Sequence, residues 1–195
     1  MKVLHTSLAV LAAMVMCCAA NADTFTYSPN VDSVDSGVVD DSTFALPEVA
    51  SINSISIDIA HTWGADLEIT LTSPSGDTFV PMFDDVSAGG SGNFDMGVVA
   101  GDGSLGNVAT YTFVESGGLT EYTDVFSGGG TYNANTWGVN GGEAAGNWNL
   151  LIFDDAGGDV TSIGSVTIDF SPIPEPATAG LVAGLFGLVA LRRRK

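Results

Sequence analysis

Apolar residues spaced two apart dominate the middle of this chain. Ile55, Ile57 and Ile59 alternate with Ser and Asp, and Leu67, Ile69 and Leu71 alternate with Glu and Thr. Residues two apart share a face only when the backbone is extended, so this spacing predicts strands. Ser73-Pro74-Ser75-Gly76-Asp77 has turn composition, and Phe79-Val80 reads as the returning strand. Further strands are predicted over Val108 to Val114, with Tyr111 and Phe113 on one face, and around Trp148, Leu150 and Ile152. Val166, Ile168 and Phe170 close the pattern, and no stretch of 23–171 has helical spacing. Gly-rich breaks run from Ser87 to Gly106 and from Ser116 to Gly130. Short strands with such breaks predict an all-β fold, an antiparallel β-sandwich or jelly roll. The 30 residues from Asp23 are less patterned and are expected to hold one or two edge strands.

Charge narrows the function classes. Lys2 and residues 192–195 account for all five Lys and Arg, and every one of the 23 acids except Glu175 lies in 23–171. His61 is therefore the single basic side chain of that region. Acid repels acid throughout, which opposes compactness unless cations bind or salt screens. Without Lys or Arg to neutralise phosphates, nucleic acid is excluded as a partner. Cys17 and Cys18 are the two cysteines, so the region also has no disulfide.

The ends predict export. Lys2, the apolar run Val3 to Cys18 and the small residues of Ala20-Asn21-Ala22 fit a signal peptide over 1–22, with Asp23 as the new N-terminus. A first transmembrane helix fits less well, because the cleavage pattern leads straight into acidic sequence. A lipoprotein reading fails, because Met and Cys precede the two cysteines. At the other end, Pro174-Glu175-Pro176 precedes an apolar run, Ala177 to Leu191, and then Arg192-Arg193-Arg194-Lys195. As one hydrophobic helix the run would be about 22 Å long, short of a ~30 Å hydrocarbon core. Bilayer thinning or a snorkelling Arg192 covers such a mismatch. The basic end is expected to stay cytoplasmic. This order of parts resembles the PEP-CTERM tail, which implies processing by an exosortase at the inner membrane of a Gram-negative bacterium. The expected organisation is a signal peptide (1–22), one β domain (23–171) and a sorting tail (172–195).

Within the domain, the stretch from His61-Thr62-Trp63-Gly64-Ala65-Asp66-Leu67 through Ile69 and Leu71 to Ser73-Pro74-Ser75-Gly76-Asp77-Thr78 resembles the P domain (P/Homo B) of proprotein convertases. Gly141-Gly142-Glu143, Gly146-Asn147-Trp148-Asn149-Leu150 and Phe153-Asp154 resemble a second motif of that family, and Gly158-Asp159 with Ile163 to Val166 echoes its closing turn and strand. Asp77 is an insertion relative to the family, and Val166 stands where it usually has Trp. The resemblance covers about residues 50–170. It implies a jelly roll that accompanies a subtilisin-like protease, or a surface module without one.

No catalytic constellation is expected. The region has one His, no Gly-x-Ser-x-Gly elbow and no Cys nucleophile, and zinc's His/Cys clusters are missing from the sequence pattern. Calcium suits the composition better. Asp66, Asp84, Asp85, Asp154, Asp155 and Asp159 lie at loop starts beside strands, and hard oxygens in flexible loops suit an ion that takes six to eight of them. A solvated acidic surface accounts for such residues equally simply. Trp63 and Trp137 sit beside glycines near turns, where an exposed indole stacks on sugars and a buried one packs the core. His61, at a strand end, is expected to make a buried hydrogen bond. The sequence thus predicts a non-enzymatic, exported module with a calcium-assisted role at the cell surface or in the exopolysaccharide matrix. The alternative is a module that stabilises or recruits a subtilisin-like protease in trans.

Overall fold

The computed structural model describes residues 22–82, 96–99, 102–119, 128–138 and 142–173. All of these except Ile173 fall in one compact unit, Ala22–Pro172. The expected sorting motif Pro174, Glu175 and Pro176, the hydrophobic run 177–191, Ala20, and the acids Asp84 and Asp85 lie outside the described residues. Among the described residues no helix is long and apolar enough to cross a membrane.

Two sheets form the sandwich. The first is ordered β1 (Asp23–Tyr27), β10 (Thr161–Pro172), β4 (Val49–His61), β7 (Ala109–Val114) and β8 (Gly130–Asn133), with β2 (Val31–Val34) also pairing β10. The second is ordered β3 (Gly37–Leu46), β9 (Gly146–Asp154), β5 (Leu67–Thr72) and β6 (Thr78–Met82). All neighbours are antiparallel except β7 and β8, which run parallel. This exception needs a long connection between the two strands, which the Gly-rich break after Ser116 supplies.

The alternating residues point where their spacing predicts. Ile55, Ile57, Ile59, Tyr111 and Phe113 of the first sheet are fully buried against Leu67, Ile69, Leu71, Trp148 and Leu150 of the second. Burial of this kind, at roughly 25 cal/mol per Å² of apolar surface, is the main stabilising term in a domain without disulfides or Lys/Arg ion pairs.

The N-terminal third holds three strands, β1 to β3, where one or two were expected. β3 is ten residues long but carries a bulge between Val38 and Asp40, which breaks the period of two. Val38 is left more than half exposed while Val39 is buried. The first strand of one sheet and the outer strand of the other are joined through side chains. The Tyr27 hydroxyl donates to Asp40 Oδ2 at 2.6 Å, and Phe25 stacks on Phe44 at 4.6 Å. Burial, then the Asp40 hydrogen bond and charge, push the Tyr27 hydroxyl well above the usual phenol range, so the proton of this bond is held firmly.

Candidate functional site

Three chain segments meet around His61. β4 ends at His61, where β10 begins in register with it at Thr161, and the short segment at Met96 exchanges both backbone hydrogen bonds with His61. From the second sheet, β5 starts at Leu67 opposite Asp154, the last residue of β9. A 3-10 turn over Gly64–Asp66 precedes β5, and the Asp155 amide donates to the Asp66 carbonyl at 3.0 Å. Asp66, Asp154, Asp155 and Asp159 are thereby gathered from two loops. Of the six acids singled out in the sequence, these are the four among the described residues.

A buried polar chain runs through the centre. The Thr161 hydroxyl donates to Asp154 Oδ2 at 2.9 Å. Its oxygen lies 2.9 Å from His61 Nδ1, and the Val160 carbonyl lies 3.1 Å from the same nitrogen. Both neighbours are acceptors, so Nδ1 carries the proton. His61, Thr161 and Asp154 are all fully buried. The other ring nitrogen, Nε2, has no hydrogen-bond partner, and neither has Asp159 Oδ2; the two atoms are 3.9 Å apart. Among the described residues no three His, Cys, Asp or Glu side chains form a group that could hold a metal ion.

The acids repel one another. Desolvation, followed by the charge and hydrogen bond of Asp159 and the charges of Asp155 and Asp154, raises Asp66 from 3.8 to about 6. In the unfolded chain Asp66 loses its proton near 3.8, whereas the folded chain keeps it to about 6. The folded state binds more protons between those values, so stability falls as pH rises across that window and levels off above it. Asp66→Asn is expected to flatten this part of a plot of Tm against pH recorded in chelator. A wild-type slope in the variant would assign the effect to other acids.

This chemistry is not that of a nucleophile and base. Thr161 gives its proton to Asp154 rather than to His61, and no solvent reaches the trio. Trp63, 40% exposed, stands just before the 3-10 turn, and its carbonyl accepts the Asp66 amide at 3.1 Å. Trp137 is half-buried, edge-on to Phe79 at 5.3 Å. The two indoles thus belong to different parts of the sandwich.

The two motif stretches, far apart in sequence, lie side by side. β5 and β9 pair along their length, from Leu67 opposite Asp154 to Thr72 opposite Asn149. Beyond that end, the Ser75 hydroxyl donates to Glu143 Oε1 at 2.6 Å, and Glu143 exchanges backbone hydrogen bonds with Val49. Gly146 is required there, because a Cβ would stand 2.8 Å from the Pro74 ring. The link from Ser75 to Glu143 was not apparent in the sequence, where each residue was only a motif letter.

The fold and this buried polar chain define a two-sheet β-sandwich without a Ser, Thr or Cys nucleophile activated by its single described histidine. No protein-family model and no curated protein sequence matches the chain. Similar solved structures include the serine protease of Aeromonas sobria in complex with the chaperone ORF2, at 11% identity and a TM-score of 0.37, over 83% of this chain and 29% of that one. They also include the Aeromonas sobria serine protease alone, at 12% identity and a TM-score of 0.36, over 85% of this chain and 29% of that one. A third is an exo-beta-agarase, at 12% identity and a TM-score of 0.34, over 80% and 24%. The chain spans less than a third of each.

Proposed function

We propose that this chain is an exported, non-catalytic β-sandwich module of the P/Homo B type that acts by contact with a subtilisin-like protease supplied by another chain. One observation carries the reading. The two sequence stretches that resemble the P domain form a single unit, paired strand to strand from Leu67–Asp154 and tied beyond Thr72 by Ser75–Glu143. Two chance matches have no reason to fall into register. The test mixes the full chain with a subtilisin-type catalytic domain from the same genome that lacks its own P domain. A longer thermal half-life of the protease and a stable complex are the expected results. No complex and an unchanged half-life would rule the reading out.

The charge of the domain favours a second reading, in which it takes divalent cations and works at the cell surface or in the exopolysaccharide matrix. A region with no Lys or Arg cannot offset its acids internally, so calcium bridging at Asp66, Asp84, Asp85, Asp155 and Asp159 would relieve repulsion within and between copies, whereas Asp154 is fully buried as the acceptor of Thr161. Trp63 would add a sugar-stacking face, with Trp137 as a second aromatic. Calcium-dependent self-association or polymer binding, reversed by chelator, supports this reading; its absence in both assays excludes it. Both readings require export through the signal peptide and sorting by the exosortase. The intact mass of the surface-fraction protein tests this: it should begin at Asp23 and end near Pro174 to Pro176. A mass retaining residues 177–195 would replace sorting with plain membrane display.

A further inference from the structure

We propose that the outer face of the first sheet binds a polysaccharide of β-linked sugars that carry free amino groups. The inference rests on the second reading above, contact with the exopolysaccharide matrix, and names the polymer and the surface that takes it. One row of hydroxyls crosses the whole sheet. Thr26 of β1 stands opposite Thr167 of β10, Thr167 opposite Ser56 of β4, Ser56 opposite Thr112 of β7, and Thr112 opposite Thr131 of β8. Their chain neighbours Ile55, Ile57, Tyr111, Phe113, Val166 and Ile168 are buried, so alternation turns the row to solvent. Thr26 and Thr131 are exposed, and the three residues between them are half-buried.

Neighbouring strands lie about 4.8 Å apart, so the row is about 19 Å long with one hydroxyl per strand. That step is close to the length of one pyranose unit in an extended chain. A polymer laid across the strands therefore meets one side chain per sugar. The Thr26 and Thr167 hydroxyls share one hydrogen bond at 2.9 Å, and those of Ser56 and Thr112 share another at 2.9 Å. Each pair uses one O–H internally and keeps the other, with lone pairs on both oxygens, for a ligand. A sugar hydroxyl, itself donor and acceptor, matches either.

Charge selects the sugar. A carboxylate flanks the row on each side, because Asp169 follows Thr167 on the same face of β10 and Asp58 follows Ser56 on the same face of antiparallel β4. Neutral groups hold both in place. Asp58 accepts from the Thr110 hydroxyl at 2.6 Å and from the Ser165 hydroxyl at 2.5 Å, and Asp169 accepts from the Asn53 side-chain amide at 2.9 Å. None of these donors cancels a negative charge, and residues 23–171 contain no Lys or Arg to do so. Such a face repels anionic polymers. A protonated sugar amine supplies the missing cation, and its hydrogen bond to a carboxylate is the stronger, charge-assisted kind.

The full chain, in chelator, is titrated with a short β-linked glucosamine oligomer, with its N-acetylated counterpart and with a lysine oligomer of equal length. Heat of binding and the threonine methyl resonances are followed. The glucosamine oligomer is expected to bind, to shift the methyls of Thr26, Thr112, Thr131 and Thr167, and to weaken as salt rises. Asp58→Asn combined with Asp169→Asn should weaken it at least about tenfold. Ser56→Ala combined with Thr167→Val removes two hydroxyls and keeps the shape, and should weaken it about fivefold at an unchanged Tm. No binding, or binding that leaves those methyls unmoved, would overturn the face. A lysine oligomer that binds as tightly, with the hydroxyl variant unaffected, would mean general attraction of cations and would overturn it too. Equal affinity for the acetylated oligomer would overturn the choice of an amino sugar. Chelator separates this site from calcium bridging: calcium-dependent polymer binding that survives both double variants would leave the matrix reading standing without this face.

Discussion

Trp148→Ala is expected to destabilise the domain by about 3–5 kcal/mol, the range for deleting a large aromatic from a packed core. Trp148 is fully buried, opposite Phe44 in the β3–β9 register and 6.1 Å from the Phe79 ring. It is clamped between strands held on both sides, since β9 pairs β3 and β5 at once. The walls of the resulting cavity cannot collapse without breaking a ladder, which places the cost toward the upper end. In a domain of this size the change should lower Tm by about 10 °C or more. Trp63→Ala is the control. Its ring is 40% exposed, and its loss should stay within about 0.5 kcal/mol. Equilibrium urea unfolding of both variants decides the matter, and similar losses in the two would show that burial does not rank these indoles.

The second large effect is expected at Asp154. Asp154→Ala removes the acceptor of the Thr161 hydroxyl and, through it, the orientation of His61. Both groups stay fully buried, so the polar atoms left behind have no water to turn to. A loss of about 3 kcal/mol is expected. Asp155→Ala, at the exposed neighbouring position, should cost less than about 0.5 kcal/mol. Thr161→Val should be intermediate, and its effect should not add to that of Asp154→Ala, because both break one chain of bonds. Additive losses would mean that Asp154 acts apart from Thr161. Chelator in every sample keeps bound metal out of the comparison.

The strands legible in the sequence are those buried on one face and wet on the other. β4, β5, β7, β9 and β10 show their inward residues two by two, because the core accepts nothing polar at those positions. β3 was legible only as an unplaced edge strand, because its bulge at Val38–Asp40 shifts the period midway. β8 is four residues inside a Gly-rich break, and its pairing with β7 through Thr131 and Tyr132 is a tertiary event with no local signature. The acids at strand ends were visible one by one as oxygen donors beside turns. Their sorting was not visible. Asp154 becomes a buried acceptor and Asp159 a neighbour of His61 only because Thr161 falls in register with His61, and register between distant strands has no signal in either strand alone.

The position of β10 in the first sheet has a consequence for how this protein is made. The final strand is the hub, paired with β1, β2 and β4, and its Phe170 lies opposite Asp23 at the very start of the domain. A ribosome delivers the N-terminus first, so the opening strands emerge with no partner to join until the domain is nearly complete. Contacts this distant along the chain form slowly. The polypeptide therefore stays slack for most of its synthesis, and the first sheet closes only when its last strand is complete.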